Sequence, residues 1–131
     1  MDRDTISKSL KEGEVLVVDD DSGSRDLLIR FFKLIGCEKV TAVGNGEEAI
    51  RYTRSQTPIL VLLDYLLPEM SGLETLCQIK QLHPNLPVFM MTAYPSRDAV
   101  SKATQAGATD VLVKPLDLRK LEQNILQGLT S

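Results

Sequence analysis

The chain has 131 residues, 43% hydrophobic and 25% charged, with a formal net charge of -3. That is one domain's worth of sequence with enough apolar content for a real core. The mild acidity, with no basic cluster, excludes a nucleic-acid footprint. Cys37 and Cys77 have neither CxxC spacing nor a disulfide framework, and His83 is the single histidine, so reduced thiols and no zinc site are expected. No signal core and no membrane-length apolar run is present, which predicts a soluble cytoplasmic protein without a membrane partner.

In chain order, residues 1–13 read as a short helical or frayed extension outside the domain proper, thinly apolar at Ile6 and Leu10 and ended by Gly13. The domain is expected over 14–131. Val15 to Val18 is a fully apolar run ending on Asp19, Asp20 and Asp21. Ser22 is placed to cap a helix whose Leu27, Leu28, Phe31, Phe32 and Ile35 recur at helical spacing until Gly36. Lys39 to Val43 is a short strand, Gly44-Asn45-Gly46 a turn, and Glu47 to Ser55 a helix with acid in its first turn.

Ile59 to Leu63 is the longest apolar run, preceded by Pro58 and stopped by Asp64; Pro68 and Gly72 are expected to hold a loop open beyond it. A helix follows from Leu73 to about His83, then a turn at 84–87 and a fourth run, Val88 to Met91, ending at Thr92-Ala93-Tyr94. Pro95 or Ser96 opens a helix that Gly107 closes. Asp110 to Val113 is the fifth strand, broken by Lys114-Pro115, and Leu118, Leu121, Ile125 and Leu126 line a last helix.

Five apolar strands alternating with helices predict a parallel sheet covered on both faces, a three-layer doubly wound α/β fold. Ligands in such sheets bind beyond the carboxyl ends of the strands. Collecting those ends assembles Asp19, Asp20, Asp64, Thr92 and Lys114. Three carboxylates at one rim repel one another, and a hard divalent cation, Mg2+ or Mn2+, resolves the conflict with oxygen ligands and water. Lys114 adds a point charge and Thr92 a hydroxyl for phosphoryl oxygens, so the set describes phosphoryl transfer to a carboxylate. Taken singly, each residue has a plainer explanation: helix caps for Asp19, Asp20 and Thr92, a solvated side chain for Lys114. All four holding at once is improbable.

With these residues in view, the chain resembles the receiver domain of two-component response regulators. The matching stretches are Val-Leu-Val-Val-Asp19-Asp20-Asp21, Leu-Leu-Asp64-Tyr-Leu-Leu-Pro68-Glu-Met-Ser-Gly72, Met-Met-Thr92-Ala93-Tyr94 and Val-Leu-Val-Lys114-Pro115, spread from about Glu14 to Gln127. The resemblance implies a flavodoxin-like (βα)5 fold with strand order 2-1-3-4-5. It implies that Asp64 accepts a phosphoryl group from a sensor histidine kinase or histidine phosphotransferase. Asp19, Asp20, Asp64 and the backbone carbonyl of Leu66 would hold the metal; Thr92, Ala93 and Lys114 would bind phosphate; Lys114–Pro115 would be cis. Such a domain catalyses its own phosphorylation and dephosphorylation but is primarily a signalling module, monomeric or dimerising on phosphorylation, with no direct contact to nucleic acid. Leu66 and Tyr94, both bulky, are expected to shield Asp64 from hydrolysis. Ser24, Arg25, Leu28, Leu116 and Asp117 are the implied docking face, with Leu28 and Leu116 equally readable as core.

One departure stands out. Where receivers driving a fused output usually carry Phe or Tyr, three residues before the lysine, this chain has Val111. A sporulation-type single-domain phosphorelay receiver also lacks that aromatic, which favours a shuttle over the amino-terminal receiver of a larger regulator. Two rival chemistries match part of the pattern. Gly44-Asn-Gly46-Glu-Glu-Ala49 fits a dinucleotide-binding GxGxxA, but Glu47 and Glu48 would sit where pyrophosphate must lie. An aspartate-nucleophile phosphatase of the haloacid dehalogenase type would use Asp19 and Asp21, and would leave Asp64 without a role.

Overall fold

The computed structural model describes residues 2–130. Five strands, β1 (Glu14–Val18), β2 (Lys39–Val43), β3 (Leu60–Asp64), β4 (Val88–Thr92) and β5 (Asp110–Val113), form one sheet of order β2-β1-β3-β4-β5. Every pairing is parallel. Six helices accompany them: α1 (Arg3–Glu12), α2 (Ser22–Leu34), α3 (Gly46–Ser55), α4 (Gly72–Leu82), α5 (Arg97–Gln105) and α6 (Leu118–Thr130).

The continuous apolar runs serve two cores at once, because successive side chains on a strand point to opposite faces. Val15, Val17, Leu60, Leu62, Phe89 and Met91 join Leu28, Phe31, Phe32, Leu121 and Ile125 from α2 and α6. Leu16, Val18, Val61, Leu63, Val88 and Met90 join Ala49, Ile50, Leu76, Ile79 and Ala103 from α3, α4 and α5. With only short polar segments between elements, the right-handed crossover places the helices on the two faces, and the sheet's reversal point falls between β1 and β3.

Four local expectations are corrected. The amino-terminal segment is a full helix packed onto the domain: Ile6 is wholly buried, Leu10 nearly so, and both belong to the first core cluster. Only two apolar residues signal this, one turn apart, and their value depends on the groove they enter. Asp21, not Ser22, caps α2, its carboxylate accepting the Ser24 N–H at 2.8 Å. Leu27, placed on the apolar face by spacing, is 48% exposed.

Gly72 does the reverse of holding a loop open. A Cβ there would collide with the backbone of Asp64 and Tyr65, and the Gly72 N–H donates to the Tyr65 carbonyl at 3.0 Å. The bare backbone lets α4 begin hard against the end of β3. Gly46 is explained in the same terms, since a side chain there would strike Thr75 on α4. The GxGxxA pattern is therefore helix packing between α3 and α4, and no phosphate cradle is needed to account for it.

Candidate functional site

The sheet register brings the strand ends together. Val18 pairs with Leu63 and Asp64 with Met91, so Asp19 and Thr92 lie one residue beyond β1 and at the tip of β4 on either side of Asp64. Thr92 pairs in turn with Val113, which sets Lys114 next to it, and the Lys114 N–H donates to the Thr92 carbonyl at 2.8 Å. Residues scattered over 95 positions thus share one rim because each ends a strand.

Side chains complete the arrangement. Carboxylate oxygens of Asp19, Asp20 and Asp64 lie within 4.8 Å of one another. The Lys114 ammonium donates to Asp19 Oδ2 and Asp64 Oδ2, both at 2.8 Å. Asp19 is fully buried, Asp64 nearly so, and Asp20 exposed. The remaining oxygens are held by main chain: Asp19 Oδ1 accepts from Asp21 N–H at 2.9 Å, and Asp64 Oδ1 from Leu66 N–H at 3.2 Å. Thr92 Oγ1 accepts from Tyr94 N–H at 3.1 Å, which leaves its proton available. The Lys114–Pro115 bond is cis.

Burial pushes the Asp64 carboxyl above its ordinary value; Asp19 adds to this, while the Lys114 and Leu66 donors pull the other way. Burial likewise opposes charge on Lys114, but its bonds to Asp19 and Asp64 outweigh it and lift the ammonium above the usual lysine range. Three carboxylates and one ammonium leave two negative charges in excess inside a largely buried rim. All the donors are hard oxygens, so the chemistry of the set fits a small divalent cation.

Of the residues expected near the site, Asp19, Asp20, Asp64, Thr92 and Lys114 are brought together. Ala93 lines a groove of about 350 Å³ with Asp19 and Lys114. Leu66 and Tyr94 stand at the margin, 61% and 74% exposed. The implied docking face divides. Leu28 is core, 2% exposed, Leu116 is half-buried against the same core, and Asp117 is exposed. Arg25 is turned inward: its Nη1 donates to the Asp19 carbonyl at 2.9 Å. Sequence reading missed that role; the only signal was a cation four residues after the helix-capping Asp21.

An acidic pocket bridged by one lysine, at the reversal point of a 2-1-3-4-5 sheet, is the architecture of a signalling receiver. The model of the response regulator receiver domain matches residues 15–126, and the chain belongs to that family. It is 40% identical over 116 residues to the transcriptional regulatory protein ZraR of Klebsiella oxytoca, covering 88% of this chain and 26% of that one. It is 45% identical over 109 residues to the DNA-binding transcriptional regulator NtrC of Escherichia coli K12, covering 83% and 23%. The chain therefore spans about a quarter of the length of these relatives. Among solved structures, a CheY-like receiver domain protein from Methanospirillum hungatei superposes with a TM-score of 0.85 at 28% identity, covering 90% of this chain and 94% of that one. NtrX from Brucella abortus gives 0.82 at 29%, covering 90% and 27%. The protein is a receiver of two-component signalling, and none of its helices, among the described residues, is long and apolar enough to cross a membrane.

Proposed function

We propose that Asp64 is the phosphoryl acceptor, taking the group from a phosphohistidine on a sensor kinase or histidine phosphotransferase. The observation that carries this is the Lys114 bridge: a buried carboxylate raised by desolvation, with an ammonium 2.8 Å away, at the rim where donors can reach it. A carboxylate oxygen of Asp64 forms the new O–P bond as the P–N bond to the donor imidazole breaks, and the bond's electron pair leaves with the imidazole. Lys114 exchanges its bond to Asp64 for one to a phosphoryl oxygen, and the Thr92 hydroxyl donates to another. Ala93, lacking bulk, leaves the incoming group room. Asp19, Asp20, Asp64 and the Leu66 carbonyl would hold Mg2+, which when bound supplies charge neutralisation for the carboxylates and the phosphoryl oxygens. Leu66 and Tyr94 flank the rim and slow loss of the acyl phosphate by limiting water.

Two outputs follow from different observations. The relatives are longer regulators, which favours a receiver that controls a linked unit. Val111 offers no large ring to swing when Thr92 turns, which favours passing the group onward to a second phosphotransferase. Incubation with acetyl phosphate and Mg2+, read on a phosphate-affinity gel, tests the common core of both. Wild type should be labelled only with metal present and Asp64→Ala not at all. Label that persists in Asp64→Ala, or maps to Asp19, would replace this reading with the aspartate-nucleophile phosphatase.

A further inference from the structure

Arg25 lies outside the carboxylate cluster, yet among the described residues it is the one side chain from another element that holds the backbone carrying two of the three acids. Asp19 is pinned on every polar atom: its N–H donates to the Val43 carbonyl at 3.1 Å, Oδ1 accepts from Asp21 N–H, and Oδ2 accepts from Lys114. Its carbonyl accepts from Arg25 Nη1 at 2.9 Å. That carbonyl belongs to the peptide unit joining Asp19 to Asp20. Because the unit is planar, holding the oxygen also fixes the Cα of Asp20. Asp20's own carboxylate takes no hydrogen bond among the described residues, so nothing nearer aims it.

Arg25 is half-buried and its guanidinium lies beside Gly44 at the end of β2, where an added Cβ would stand 3.4 Å from Nη1. It thereby spans the ends of β1 and β2 from the first turn of α2. Lys114 cannot do this work, since its bonds go to carboxylate oxygens and the proposed reaction redirects one of them. We propose that Arg25 is a positioning residue of the acceptor site, clamping the Asp19–Asp20 peptide so that both carboxylates present toward Asp64 and the cation they hold. This rests on the functional reading above.

Titration with Mn2+, following loss of the free-ion electron paramagnetic resonance signal, separates the two claims. Wild type should bind. Arg25→Met should raise the dissociation constant about tenfold, the scale for groups that orient metal ligands. Labelling by acetyl phosphate should then need correspondingly more metal, with the maximal rate at saturation unchanged. Arg25→Lys should recover part of the affinity, because one ammonium reaches the carbonyl without the planar fork; it also carries the test if the methionine variant fails to fold. Glu48→Ala is the structural control. It removes the 3.1 Å bond to Gly44 N–H in the same turn without touching Asp19, and should leave Mn2+ affinity intact. Wild-type affinity in both Arg25 variants, or equal weakening in Glu48→Ala, would overturn the positioning role alone. Wild type that binds no Mn2+ would take the metal site down with it.

Discussion

The two ends of the sheet use similar bonds for opposite purposes. At the amino ends of the strands, polar side chains each find one backbone partner, and no acidic cluster forms there among the described residues. His83 Nε2 meets the Thr53 carbonyl at 2.6 Å, Lys80 donates to the Leu86 carbonyl at 2.9 Å, and Thr109 Oγ1 accepts from Val88 N–H at 3.2 Å. Gly13 packs against Ile59 as α1 delivers the chain into β1, with Ile6 and Leu10 sealed beneath it. At the carboxyl ends the hydrogen bonds are as numerous, but they leave net charge behind. Asp19 and Asp64 share one ammonium, with Asp20 close by. Satisfying hydrogen bonds is therefore not the same as balancing charge, and the imbalance is what a divalent cation can offset.

Substitutions that separate the two ends test this directly. The largest effect is expected from Lys114→Met, which removes the ammonium bonded to Asp19 and Asp64 and proposed above to bind the transferring group. Labelling of Asp64 by acetyl phosphate should slow by about 10²–10³-fold, as for other donors aimed at developing charge. An unchanged rate would mean that Lys114 is only a salt-bridge partner. The next effect belongs to the opposite end. Ile6→Ala should lower unfolding stability by about 2–5 kcal/mol in urea titration, the range for a buried Ile truncated to Ala, while labelling of the folded protein stays at the wild-type rate. A negligible loss would return α1 to the status of an appendage.

The smallest effect is a pH dependence. Because burial raises the Asp64 pKa in the folded chain, its contribution to stability is present below the unfolded value and lost as pH rises through the folded one. The metal-free wild type should therefore lose stability relative to Asp64→Asn over a window beginning near 3.8 and extending upward. Thermal melts of the two proteins across mildly acidic pH should diverge in that direction. Parallel curves would show that Lys114 already compensates the buried charge in full.

Much of this was legible before any coordinates. Residues 15–18, 60–63 and 88–91 are apolar without interruption, and such short runs alternating with stretches of helical spacing are the pattern of a parallel sheet covered on both faces. Each run ends on a polar residue, and the sheet rule then gathers Asp19, Asp64, Thr92 and Lys114. Other features were hidden because they depend on what lies across a gap. Gly46 and Gly72 mimic a phosphate loop and an open loop in one dimension, and become close-packing positions once Thr75 and the β3 backbone are seen opposite them. Leu28 and Leu27 are neighbours with equal hydrophobicity, yet one is core and the other half in solvent, since only the rotation of α2 on the sheet distinguishes them.

The sequence by itself determined the strand pattern, the strand-end chemistry and the family, because those depend on residue type and short spacing. The tertiary structure decided which face each helix presents, that α1 is part of the core, and that Arg25 turns inward onto the Asp19 carbonyl. Those outcomes depend on distances between segments far apart in the chain, where a difference of an ångström separates a hydrogen bond from open water.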